Sequence, residues 1–185
     1  MSRRPTAVAL GTLALCGASA QGALAEEFQI EAVGSKRSLG KVTAIGDFHP
    51  RSDPTLQAAT SVFGPPTKIV PTSDVSCRVL YRAVGLRFSF VNLGGGGGCD
   101  PALTKSQVAR AYDARWHTGK GLQIFDRLGK LRRLYPGATR HGRSWWLVRG
   151  RNIYGVGQRP YPVLRATMNG RRVNSFALQI GAAGE

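Results

Sequence analysis

The strongest constraint on this chain is a short pattern written twice: an apolar helical stripe, a Gly/Pro stop, then alternating strand residues. The first copy is DPTLQAATSVFGPPT, at 53–67, and the second is FDRLGKLRRLYPGAT, at 125–139. With Phe63 set opposite Tyr135, Leu56 meets Leu128, Ala59 meets Leu131, Val62 meets Leu134 and Thr67 meets Thr139. Apolar residues recurring at three- and four-residue steps give a helix one face to bury. Asp53 reads as the first N-cap, with Pro54 suited to the first helical position, where its missing N–H costs nothing. Asp126 reads as the second N-cap, with Arg127, Lys130, Arg132 and Arg133 turned to water. Gly64-Pro65-Pro66 and Pro136-Gly137 stop the two helices.

Strands are expected after each helix. Cys77, Val79 and Tyr81 alternate onto one face, as do Leu86, Phe88 and Phe90, with Arg87 and Ser89 opposite. The Gly94–Gly98 run reads as a mobile turn. It is not a phosphate loop, because Cys99-Asp100-Pro101 follows where Gly-Lys-Ser/Thr would be needed. SQVARAYDARW, at 106–116, can be read as a strand closing the first sheet or as a short helix, and the strand is the preferred reading. In the second half SWWLVRG is a strand, and PVLRATMNGRRVNSFALQI is a pair of strands around an Asn169-Gly170 turn. The Gly-rich loop at 150–162 has no counterpart in the first half. Residues 26–36 read as a flexible lead-in with at most a short strand, and LGKVTAIGDFHP and WHTGKGLQIFD lead into the helices. The expected architecture is α+β: two similar units, each a short helix packed on an antiparallel sheet, at 26–104 and 105–185.

Residues 1–25 read as a secretory signal peptide. Arg3 and Arg4 form its basic start, Ala7–Ala20 its short apolar stretch, and Ala23-Leu24-Ala25 its cleavage signal. Leu15 before Cys16 is too large for a lipoprotein acylation site, so the expectation is a secreted, extracellular protein with no transmembrane segment in the mature chain. Cys77 and Cys99 then form an even pair in an oxidising compartment, which reads as one disulfide worth about 3 kcal/mol by loop closure. Neither has a second Cys or a His at metal-ligand spacing.

Lys and Arg number 26 against 10 Asp and Glu, a formal net charge of +16. Losing Arg3 and Arg4 with the leader still leaves about +14, a balance that favours polyanionic partners. No motif specifies nucleic acid. His49, His117 and His141 fit no zinc signature, no GxSxG elbow is present, and His141 with Ser144 lacks an orienting acid. No catalytic residue, metal site or cofactor is therefore expected. The suggestive cluster is Arg140, His141, Arg143, Trp145, Trp146, Arg149 and Arg151, where aromatics alternate with guanidinium groups. On a strand Trp145 and Trp146 point to opposite faces, which puts one in the core and the other on the outer sheet.

The repeat, carried by Leu56/Leu128, Phe63/Tyr135 and the Gly64-Pro65 and Pro136-Gly137 breaks, resembles the tandem-repeat fold of the β-lactamase inhibitory protein and SmpA/OmlA-like families. GLQIFDRLGKLRRLYPGA followed by WWL is also similar to secreted proteins of high-GC bacteria. The resemblance implies a small α+β binding scaffold. It does not extend to inhibition of a β-lactamase, whose loop residues have no match here.

The expected function is non-catalytic binding at or outside the cell envelope by a monomer, through the concave sheet face, to a protein or an anionic envelope polymer. The candidate binding residues are Trp145, Trp146, Arg143, Arg149, Tyr154 and Tyr161. A polyanion- or wall-associating protein acting through charge alone is the alternative. A hydrolase with dispersed acids or histidines comes third.

Overall fold

The computed structural model describes residues 27–35, 39–151 and 159–181. The segment expected to be a signal peptide, Cys16 and Tyr154 lie outside them, as does most of the loop expected at 150–162. The strands are β1 (Phe28–Val33), β2 (Lys41–Ile45), β3 (Lys68–Ser73), β4 (Ser76–Tyr81), β5 (Leu86–Val91), β6 (Lys105–Ala111), β7 (Trp116–Thr118), β8 (Thr139–His141), β9 (Ser144–Arg151), β10 (Pro160–Asn169) and β11 (Arg172–Gln179). Helix α1 (Leu56–Phe63) precedes β3, and α2 (Leu128–Leu134) precedes β8. The fold is α+β and rich in sheet. Eight strands form one antiparallel sheet in the order β3-β4-β5-β6-β11-β10-β9-β8, and three form a smaller sheet in the order β2-β1-β7. Among the described residues no helix is long and apolar enough to cross a membrane.

Alternation decides which face of the large sheet is covered. Cys77, Val79, Tyr81, Leu86, Phe88 and Phe90 are all buried, as their spacing predicts. They pack against Leu56 and Ala59 of α1, Leu131 of α2, and Ile30, Val42, Ile45 and Trp116 of the small sheet. Phe63 bridges Tyr81, Phe88 and Trp116, with ring centroids 5.6, 5.9 and 6.5 Å away. Both helices and the small sheet therefore cover one face.

Several expectations are corrected. The lead-in is not a loose segment: β1 pairs with β2 antiparallel and with β7 in parallel, so the stretches ahead of each helix become strands. Neither aspartate caps its helix by side chain. The Pro54 carbonyl accepts from the Ser106 amide at 2.8 Å, which holds this segment to β6 and delays the helix start. Thr55 takes the N-cap, its Oγ1 accepting from the Ala58 amide at 3.1 Å. Asp53 supports it, accepting from the Thr55 amide and hydroxyl at 3.0 and 2.6 Å, and these bonds lower its pKa. In the second half Arg127 stands at the N-cap, while Asp126 accepts from the Gln123 amide and pairs with Lys130 at 2.8 Å. Val62, expected in the buried stripe, is 40 % exposed. SQVARAYDARW does contain a strand, β6, but Trp116 leaves the large sheet for β7.

The last hairpin turns one residue later than expected. Asn169 pairs with Arg172, so the two loop residues are Gly170 and Arg171. Gly170 supplies the positive φ of +57° that a tight primed turn demands at its first position. The glycine run is also tied down more firmly than a mobile turn would be. Asn92 donates to the Gly96 carbonyl at 2.7 Å and accepts from the Gly94 amide at 3.0 Å, and the Gly98 amide bonds to the Asp74 carbonyl at 2.9 Å. A Cβ on Gly98 would run into the Ser76 amide, so only glycine permits this approach. The contact brings Cys99 beside Cys77. The expected bond between them is not formed in this structure: both are free thiols, Cys99 packs against the core that contains Cys77, and burial pushes the Cys77 thiol up to about 12.

Replacing Thr55 with Ala removes the only side-chain cap on α1, and a loss of about 1 kcal/mol is expected from the denaturant midpoint. The same change at Asp53 should cost less, because it acts only through Thr55.

Candidate functional site

The bare face of the large sheet carries an unexpected pattern. Cross-strand register lines up one residue from every strand: Lys68, Leu80, Arg87, Arg110, Ala177, Arg165, Trp146 and Thr139. Alternation turns this row away from the core residues Val79, Phe88, Ala109 and Leu178. Arg87 and Arg110 stand directly opposite each other on adjacent strands. Like charges so placed repel, by a few tenths of a kcal/mol or more. Among the described residues the ion pairs are Arg115–Asp113, His117–Glu27 and Lys130–Asp126. None reaches this row, so its cations have no carboxylate partner among the described residues.

The two adjacent tryptophans diverge as the strand geometry requires, yet each is half-buried rather than one being core and one free. Trp145 packs against the core on the helix side, with the Arg132 guanidinium 5.3 Å from its ring centroid. Trp146 faces the other way, stacked on His141 with centroids 3.8 Å apart and planes at 15°. His141 Nε2 is 3.1 Å from Thr139 Oγ1, which steadies the stack.

A second basic surface lies on the helix side, at the edge of the second half. A hollow of about 490 Å³ is lined by Leu128 and Arg132 of α2, Arg140, Gly142, Arg143, Trp145, and Met168–Arg171. Two hairpin turns build it. The β8–β9 turn is Gly142-Arg143 and the β10–β11 turn is Gly170-Arg171, with φ of +61° and +57° at the glycines. Each turn thus presents an arginine at its second loop position. The turns are fastened together by the Met168 amide donating to the Arg143 carbonyl at 2.8 Å. Helix α2 is fastened to the second turn by its Leu128 amide, 2.8 Å from the Arg171 carbonyl. No acid lines the hollow. Beside it Phe125 is 55 % exposed and is the one described non-glycine residue with positive φ, at 71°. Its amide donates to the Val173 carbonyl and its carbonyl accepts from Arg172 Nη1 at 3.0 Å, bonds that hold the strained backbone.

The six expected binding residues do not form one site. Arg143 and Trp145 line the basic hollow, and Trp146 joins the open row. Arg149 lines a separate, mostly apolar groove of about 740 Å³ with Val33, Tyr135, Leu147 and Pro160, and donates to the Gly137 carbonyl at 3.2 Å. Tyr161 is half-buried, its hydroxyl donating to the Gly40 carbonyl at 3.1 Å, and burial raises its pKa. Tyr154 is outside the described residues. Sequence reading missed Arg87, Arg110 and Arg165, because only register places them together. It also missed the twin Gly-Arg turns, although HGRS at 141–144 and NGRR at 169–172 carried the signal. Among the described residues no three His, Cys, Asp or Glu side chains gather as a metal site would require. Comparison with family models, curated proteins and solved structures returns no match.

Replacing Arg132 with Ala uncovers the Trp145 ring. Acrylamide quenching of tryptophan fluorescence should rise, with a stability loss under about 1 kcal/mol. Unchanged quenching would mean that the guanidinium does not cover the ring.

Proposed function

We propose that this is an exported, non-catalytic binding protein of the cell envelope or exterior, and that its open sheet face meets an anionic partner. The observation that carries this reading is the row of Lys68, Arg87, Arg110 and Arg165 beside Trp146, cations held in register without carboxylates. A sheet optimised for stability alone would alternate signs along such a row. Keeping like charges opposite each other makes sense where a bound anion relieves them. Strand spacing of about 4.8 Å puts Arg87 beside Arg110 and sets Arg165 about two strands further on, a span suited to an extended polymer.

The reading includes two similar units. Helix α1 is followed by β3–β6 and α2 by β8–β11, and the halves meet where β6 pairs with β11. The matched helix residues Ala59 and Leu131 are both fully buried. It also includes export, with the Cys77–Cys99 pair closing as a disulfide once outside the cell. The two cysteines pack in the same cluster, and Cys99, the more exposed, is placed to react first with an external disulfide.

Binding to an anionic resin such as heparin tests the surface. The Arg87→Gln/Arg110→Gln double variant should lower the slope of log K against log salt by about two. A double variant at Arg51 and Arg133, away from the row, should retain more of the binding. Equal losses from both pairs would favour charge alone. The variant Arg110→Glu should abolish the interaction yet raise stability by about 0.5 kcal/mol, because it converts a repulsive cross-strand pair into an attractive one.

The cysteine pair predicts a pH effect. Cys77 titrates near 9.0 when unperturbed and at about 12 in the fold. Its neutral form is favoured by folding, so the reduced protein loses stability as pH rises from about 9 towards 12. Oxidised protein lacks that loss, and the two alkaline unfolding curves should diverge above pH 9. Thiol titration of exported material, denatured without reductant, should find no free Cys; two free thiols would contradict the bond.

A further inference from the structure

We infer that the hollow between the twin Gly-Arg turns and α2 is a second, separate site, which takes a compact phosphoryl group: a phosphate monoester or a diphosphate. It lies on the helix side of the sheet, reached by Trp145, whereas the open row lies on the side of Trp146. Four arginines, Arg132, Arg140, Arg143 and Arg171, line one concavity of about 490 Å³ that no acid lines. All four side chains belong to exposed residues, so burial does not force them together. The backbone does: two tight turns and the start of α2 are fastened by the Met168–Arg143 and Leu128–Arg171 bonds.

The chemistry of the lining selects among anions. A carboxylate carries one charge and occupies one guanidinium fork. A phosphate monoester carries close to two charges and three acceptor oxygens, and so can satisfy several forks at once. The Trp145 face, which could have stacked on a sugar or base, is already covered by Arg132. Charge and oxygen geometry are what the hollow offers. Its volume exceeds that of one phosphate, leaving room for a diphosphate or for the group that carries the phosphate.

The test is calorimetric titration of the full chain at about 150 mM salt, a level at which attraction between exposed charges more than about 8 Å apart is largely screened. The probes are sodium pyrophosphate and, as a carboxylate of similar charge, citrate. Pyrophosphate should bind more tightly than citrate, and Arg143→Gln/Arg171→Gln should weaken it about tenfold or more while Arg87→Gln/Arg110→Gln leaves it unchanged. A cosedimentation arm with phosphatidylcholine vesicles containing phosphatidic acid or phosphatidylglycerol distinguishes the source of the phosphoryl group. Binding to pyrophosphate assigns the site to a free ligand, and binding only to the phosphatidic acid vesicles assigns it to a lipid headgroup. Both outcomes support the inference. Citrate binding as tightly as pyrophosphate, equal weakening by the two double variants, or no binding in either arm would overturn it. Failure here leaves the open-face reading standing, since heparin retention through Arg87 and Arg110 is measured separately.

Discussion

Everything on the open face of the large sheet depends on one strand pairing, that of β6 with β11. Four residue pairs, from Phe176 with Ala111 to Gln179 with Val108, join the strands that follow α1 to those that follow α2. Without that ladder there would be two four-stranded sheets with four exposed edges, each a site for unwanted pairing. With it, the edges are reduced to β3 and to the three-residue β8. The same ladder sets the register that brings Arg110 into line with Ala177 and Arg165. A slip of one residue would turn Arg110 into the core and Ala109 to water. Burial of Ala109, Phe176 and Leu178 forbids the slip. The hydrophobic core thereby specifies where the positive charges stand.

Charge is distributed to both faces of this sheet by different means. On the open face it is a consequence of register between distant strands. On the helix side it is local, made by two hairpin turns that each place arginine after glycine. In both places cations sit close together with no carboxylate among the described residues to offset them. Folding such a chain costs electrostatic energy, which the aromatic and aliphatic core opposite must outweigh.

How much of this was legible in the sequence depended on the range of the interaction. The stripes of β4 and β5 and both helices could be read, since period 2 and period 3.6 are properties of a few neighbouring residues. The caps were misplaced because tertiary bonds intervened: Pro54 is tied to Ser106 and Leu128 to Arg171. The small sheet was largely missed because β7 is only three residues long and gains its partner, β1, from the far end of the chain. Of the candidate site, Trp145, Trp146 and Arg143 were found as a local cluster. Arg87, Arg110 and Arg165 come from three strands and look like ordinary polar positions one at a time. The cysteine pair was found by counting, but the Asn92 and Gly98 contacts that bring the two thiols together were not.

The most direct test of the open face as a binding surface is NMR of arginine side chains, following each Nε–Hε correlation as a short anionic oligosaccharide is added. The account predicts saturable shifts concentrated at Arg87, Arg110 and Arg165, with the Trp146 indole responding in step. Shifts spread evenly over all the arginines, or absent from those three, would contradict it.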